Sequence, residues 1–314
     1  MFTPKARGEL SEALIDALRT DSVDARPALA LDPTDDGDLH ISLWVMYELM
    51  YRGFDDVDDD VEWNPTVLEL RRSLERLFED ELRSKYAGEP LPEPFADKLA
   101  ECIENHDGVS VAAFIQRDAD LEQVLEFLRY KSIYHVKEAD PTTWVIPRLS
   151  TGPKAAVIEL QYDEYGCGDP NRLHSNMFVR GLEACGLRSE YGAYIDDVPL
   201  EVLKQNNAWS LLGLHRRLRG AALGHLAAFE ATSSLPSRRI AGGMERLGLP
   251  GEMIAYYDEH VEADAVHEQL AIRTICGALV EETPSLAADV VFGAMTCLGL
   301  EDEFARRMLG EWSA

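Results

Sequence analysis

The sequence predicts an all-α protein, on three observations. Apolar residues recur at spacings of three and four through almost every patterned stretch. Proline stands at or near a first helical position in Asp140-Pro141, Gly152-Pro153, Asp169-Pro170 and Thr283-Pro284. No stretch shows the alternating, β-branched pattern of a sheet. In chain order, the periodicity predicts helices over Leu10–Arg19, Ile41–Arg52, Thr66–Lys85, Glu93–Glu104 and Leu121–Glu138. Lys154–Tyr165 follows Pro153, and Gly166 and Gly168 then break the chain, so that Asp169 can cap and Pro170 can open a helix over Asn171–Cys185. Leu200–Leu211, His215–Glu230, Ser237–Leu247 and Asp258–Val280 come next. Thr283-Pro284 starts Ser285–Leu298, whose run "VVFGAMTCLGL" is about half a membrane span and reads as a buried helix.

The formal charge of −27 excludes nucleic acid and an anionic membrane as partners, because both need Lys/Arg-rich surfaces. The five cysteines (102, 167, 185, 276 and 297) are scattered and form no C-x-x-C pair, which fits a reducing interior. The opening "MFTPKARGELSEALIDALR" has the pattern of an amphipathic helix and not of an apolar leader, so a soluble, cytoplasmic protein is expected. The most linker-like stretch is residues 20–38. The expected organisation is an N-terminal helical extension, 1–105, packed on a core, 106–314, the two forming one compact unit. The acidic run "DDVDDDVEW" is not a calcium loop. Counted from Asp56, Val61 stands where Gly is needed and Val67 where a bidentate Glu belongs.

The chemistry begins at "YDEHVEADAVHE", residues 257–268. On a helix turning about 100° per residue, His260, Asp264 and His267 share one face. Downstream that face continues as the small residues Ala271, Thr274 and Ala278, so two imidazoles and a carboxylate are expected to point inward. Partners stand on other apolar faces. Glu164 is in register with Val157 and Leu160, His174 with Met177 and Phe178, Glu138 with Val124, Phe127 and Tyr134, and Glu230 with Leu223, Leu226 and Ala227. Four carboxylates and three imidazoles are thereby directed at one helical core.

Buried, unpaired carboxylates each cost several kcal/mol. Protein cations do not answer them, since Lys137 and Arg172 fall on other faces and Lys131 lies two turns from Glu138. Two divalent metals would set four positive charges against four negative. Mixed nitrogen and oxygen ligation without thiolate suits iron or manganese better than structural zinc.

The order Glu138, Glu164, His174, Glu230, then His260-x3-Asp264-x2-His267 resembles the haem-oxygenase-like diiron oxidases and oxygenases, over roughly residues 105–280. The set, one carboxylate richer than in most such proteins, is most similar to the N-oxygenase domain of streptozotocin biosynthesis. The resemblance implies a haem-oxygenase-like bundle, two Fe(II) ions held by those seven residues, and O₂ as cosubstrate. It implies oxidation of a small organic substrate: N-oxygenation of an amine or amino acid, or alternatively oxidative C–C cleavage, desaturation or decarboxylation of an amino acid or fatty acid. The partners expected are a small-molecule substrate and an external electron donor, with a homodimer allowed.

Other residues are weaker candidates. Tyr134, Tyr257 and Trp144 could line the pocket, though core packing is favoured for each. Arg216, Arg217 and Arg219, or Arg238 and Arg239, could hold a substrate carboxylate, although such runs more often lie in solvent. His135, His215 and His225 lack partners at ligand spacing and read as structural. Against other classes, the His106-Asp107 doublet lacks the further ligands of a phosphohydrolase. Cys167 or Cys185 as a nucleophile would leave the aligned histidines unexplained. A non-catalytic helical metal-binding or interaction protein remains the alternative from another class, but ferritin-like E-x-x-H pairs are missing.

Overall fold

A computed structural model of the chain describes residues 1–20, 22–88 and 91–313, and of residues 262–266 the helical backbone alone. Helices α1 (Glu9–Leu18), the single turn α2 (Arg26–Leu29) and α3 (Asp36–Glu48) come first, then α4 (Pro65–Tyr86), α5 (Phe95–Glu104), α6 (Val111–Arg117) and α7 (Leu121–His135). After the single turn α8 (Asp140–Thr143) follow α9 (Thr151–Glu164), α10 (His174–Ala184), α11 (Leu200–Leu214), α12 (Arg219–Ala231) and α13 (Ser234–Leu247). The chain closes with α14 (Gly251–Gln269), a π-helical stretch Leu270–Gly277, α15 (Ala278–Glu282) and α16 (Ala287–Trp312). Among the described residues there is no strand, and the fold is all-α. Among the described residues, no single helix is long and apolar enough to cross a membrane.

Within the linker-like stretch 20–38, Ala25, Ala28 and Asp38 are buried. Asp38 is fully buried and accepts backbone N–H groups from Leu10, Ser11 and Thr34 at 3.2, 2.8 and 3.0 Å. The first orphan amides of α1 are thus satisfied from α3. On α11, Asn207 donates to the His40 carbonyl at 2.8 Å, tying α3 to the centre of the bundle. The longest apposition is α12 on α16. It is as close as glycine allows: a Cβ at Gly224 would stand 1.9 Å from the Val290 carbonyl oxygen, and one at Gly293 would stand 1.8 Å from that of Ala221.

Two apolar clusters result. One runs from Leu10 through Phe178 and Tyr256 to Met308; the other joins Leu99, Leu160, Ala227, Ile275 and Val290. The helices that carry the polar candidates, α9, α10, α12 and α14, meet where these clusters adjoin.

Four expectations about elements are corrected. Helix α7 ends at His135, so Glu138 lies in the turn 136–139 and not on the helix face shared with Val124 and Phe127. Asp169 caps no helix: its carboxylate accepts the Asn171 N–H at 2.9 Å within a turn, and α10 starts at His174 itself. Past His267 the inward face does not continue as Ala271, Thr274 and Ala278. The wider π turn shifts the phase, so Ala271, Ile275 and Cys276 are buried while Thr274 is exposed. The last helix runs on to Trp312, and α6, too short for a clear period, was not anticipated.

Candidate metal centre

Six of the seven candidate ligands converge: Glu138, Glu164, His174, Glu230, His260 and His267 are all buried. Asp264 lies outside the described side chains. The donor atoms form two groups, Glu138, Glu164, His174 and His260 in one and Glu164, Glu230 and His267 in the other. Glu164 belongs to both. Its Oε2 is 3.1 Å from His174 Nδ1 and its Oε1 is 3.6 Å from His267 Nδ1. In the first group, Glu138 Oε1 stands 4.0 Å from His174 Nδ1 and 3.8 Å from His260 Nε2. In the second, Glu230 Oε2 is 3.3 Å from His267 Nδ1.

Three of these side chains, Glu138, His260 and His267, are aimed by a neighbour. The turn that carries Glu138 is pinned on both sides. Oε2 of Glu138 accepts from the Tyr256 hydroxyl at 2.6 Å and lies 2.8 Å from His135 Nδ1, which leaves Oε1 to face the cage. Next in the chain, Lys137 forms a buried ion pair with Glu48 on α3, whose other oxygen accepts the Tyr191 hydroxyl at 2.6 Å. His260 Nδ1 donates to the Tyr256 carbonyl at 2.7 Å, which fixes the tautomer and turns the lone pair of Nε2 inward. His267 spans adjacent residues of α9: Nε2 is 3.3 Å from Asp163 Oδ2 while Nδ1 faces Glu164. A carboxylate on the remote nitrogen is the arrangement that orients a metal-ligating imidazole and raises its basicity.

The donor set fits divalent cations. Among the described residues, Glu138 Oε1 and His174 Nδ1 are buried without a hydrogen bond, although His174 Nδ1 approaches Glu164 Oε2 to 3.1 Å. That approach lacks hydrogen-bond alignment, as expected of two donors directed at a shared point. Burial pushes the Glu138 carboxyl up to about 7 against the pull of His260, and it raises Glu230 as well. Glu164 is as deeply buried, yet the closeness of His174 brings it below the ordinary carboxylate range. For His174 and His267, burial opposes the charged form, but Glu164 and Glu230 outweigh it and push each up to about 9. His260, where burial dominates, is lowered. Protons thus substitute for missing positive charge, and divalent ions would displace them.

A narrow, partly open cavity borders Glu138, Glu164, Glu230 and His260. Tyr134, Trp209 and Phe229 wall it, each ring 5.2 Å from the other two. Tyr134 therefore is a wall residue. Tyr257 is not; it packs on Tyr256 at 5.1 Å, and Tyr256 is the residue that reaches Glu138. Trp144 packs on Tyr51 instead.

None of the candidate arginines lines the cavity. Arg217 pairs with Glu79, and Arg216 and Arg238 are exposed. His135 is no bystander, as its contact with Glu138 shows, whereas His215 pairs with Glu75 at 2.9 Å and His225 packs on Trp209. Sequence reading missed Asp163, His135 and Tyr256. The one signal for Asp163 was its adjacency to Glu164.

The family described as iron-containing redox enzyme matches residues 125–302, more than half of the chain. The chain belongs to that family, part of the haem-oxygenase-like superfamily of all-α proteins. No curated protein matches the chain.

Proposed function

We propose that this chain holds two Fe(II) ions in the two donor groups and uses O₂ to oxidise a small organic molecule, the favoured reaction being N-oxygenation of an amine. The observation that carries the reading is Glu164, whose two oxygens face one imidazole of each group, the disposition of a carboxylate shared between paired ions. When bound, the irons supply the redox chemistry that reduces O₂. In balance, R–NH₂ + O₂ + 2e⁻ + 2H⁺ gives R–NHOH + H₂O: one oxygen atom enters the new N–O bond, the other leaves as water, and an external donor supplies the electron pair.

The protein's own part is positioning. Tyr256 and His135 hold one oxygen of Glu138 so that the other is presented. The Tyr256 carbonyl and Asp163 fix two ring orientations, so little rearrangement accompanies loading. Aromatic walls keep bulk water from the reacting end of the substrate. Asp264, whose side chain lies outside the described residues, is the seventh ligand of this reading.

The test is anaerobic loading with Fe(II) followed by rapid mixing with O₂. Two irons bound per chain and a transient visible absorption band are expected. Fewer than two tightly bound irons, or no spectral change on oxygenation, would overturn the proposal.

A further inference from the structure

The cavity beside the cage has an uneven chemistry. Every charged group on its walls is an acid or an imidazole; among the described residues no Lys or Arg lines it. One neutral polar side chain stands out. Gln161 is buried, donates from Nε2 to the Ala139 carbonyl at 3.0 Å, and lines the cavity. A carbonyl only accepts, so this bond settles which end of the amide is nitrogen. The remaining end, Oε1, is a buried acceptor with no hydrogen-bond partner among the described residues. Leaving such an atom unpaired is costly, and a bound molecule carrying a donor would relieve it. Around it, Tyr134, Trp209 and Phe229 with Leu160 and Leu226 make an apolar and aromatic wall, which suits a hydrocarbon stem and a cationic head.

We infer that the substrate enters with an N–H-bearing amine end, recognised by Gln161 Oε1, on a hydrocarbon body, and that no carboxylate accompanies that end into the cavity. This rests on the proposed oxidation at the same site and narrows its substrate class. The cavity is narrow, so the inferred class is confined to slender primary or secondary amines. With the glutamates engaged by the irons, a carboxylate at that end would still face Gln161 Oε1, which can only accept, and among the described residues no Lys or Arg of the lining would receive it.

The test is calorimetric titration of the iron-loaded protein, kept anaerobic, with hexylamine and with hexanoate. Hexylamine is expected to bind at least tenfold more tightly, and Gln161→Leu to lose about tenfold in amine affinity, the worth of one buried hydrogen bond, while still binding two irons. Hexanoate binding as tightly as the amine, or an unchanged amine affinity in Gln161→Leu, overturns the inference. The comparison in the unsubstituted protein needs no variant, so a misfolded Gln161→Leu leaves it decisive. Iron stoichiometry, measured on the same samples, separates failure of this inference from failure of the diiron reading.

Discussion

Replacing Glu164 should empty both halves of the cage at once, and the structure sets the size of the effect. Glu164 is the one described residue common to the two donor groups, so Glu164→Ala removes a candidate ligand from each, whereas Glu138→Ala or Glu230→Ala removes a candidate ligand from one. At a free-iron concentration of one hundred times Kd, each occupied site adds about 2.7 kcal/mol of stability, so two sites add about 5.4 kcal/mol. At roughly 2.1 cal/mol/K of unfolding entropy per residue, a chain of 314 residues gains about 1.5 °C in Tm per kcal/mol. Anaerobic Fe(II) should therefore raise the Tm of the unsubstituted protein by about 8 °C, that of Glu138→Ala or Glu230→Ala by about 4 °C, and that of Glu164→Ala hardly at all. Calorimetric scans with and without Fe(II), paired with chelator-based counting of bound iron, provide the measurement. A Glu164→Ala protein that keeps one tight iron and half of the shift would show that its oxygens serve a single ion, and the shared-carboxylate geometry would be refuted.

Three further outcomes are expected. Asp163→Ala should weaken iron binding at the His267 half about ten- to a hundredfold and spare the other half, seen as a split into two affinities; equal loss at both would contradict the assigned role. Burial lowers His225 to about 3 in the folded state, against 6.5 in the unfolded chain, so stability is lost as pH falls below 6.5 and the loss is complete only below about 3. At pH 5.5 this amounts to about 1.4 kcal/mol. His225→Phe should lessen the drop in denaturation midpoint between pH 8 and pH 5.5 by that much, and an unchanged pH slope would count against it. Gly224→Ala should cost about 3 kcal/mol, the upper end for overpacking, because its Cβ meets backbone and not a movable side chain. A Tm within 1 °C of the parent would mean that α12 and α16 separate at no cost.

How far the site was legible depends on what supplied its geometry. Glu164, His174, Glu230, His260 and His267 sit on helices, where a fixed angle per residue converts spacing into direction, and their inward register could be read from Val157, Leu160, Phe178 or Leu226 beside them. The all-α class was legible for the same reason. Glu138 was found on a false premise, since its helix has already ended at His135 and a turn presents it. That turn is placed by contacts no local pattern carries: Lys137 to Glu48 some ninety residues earlier, Glu138 to Tyr256 more than a hundred later. The phase error beyond His267 has a similar source. A π turn keeps helical hydrogen bonding but alters the angle per residue, and a fixed period cannot register the change.

The same contrast bears on why the early helices matter to a site built from later ones. Glu48 belongs to α3 and is fully buried, and its carboxylate holds the ammonium of the residue next to Glu138. Tyr191, in the loop between α10 and α11, takes the other oxygen of Glu48, and the Lys137 ammonium lies 4.5 Å from the ring centroid of Tyr51. A buried ion pair of this kind adds little net stability, because desolvation offsets most of the attraction, but it tolerates only one placement of its partners. What α3 contributes to the cage is thus register: it fixes the one described candidate ligand that does not stand on a helix, so that Glu138 Oε1 lies 4.0 Å from His174 Nδ1 and 3.8 Å from His260 Nε2.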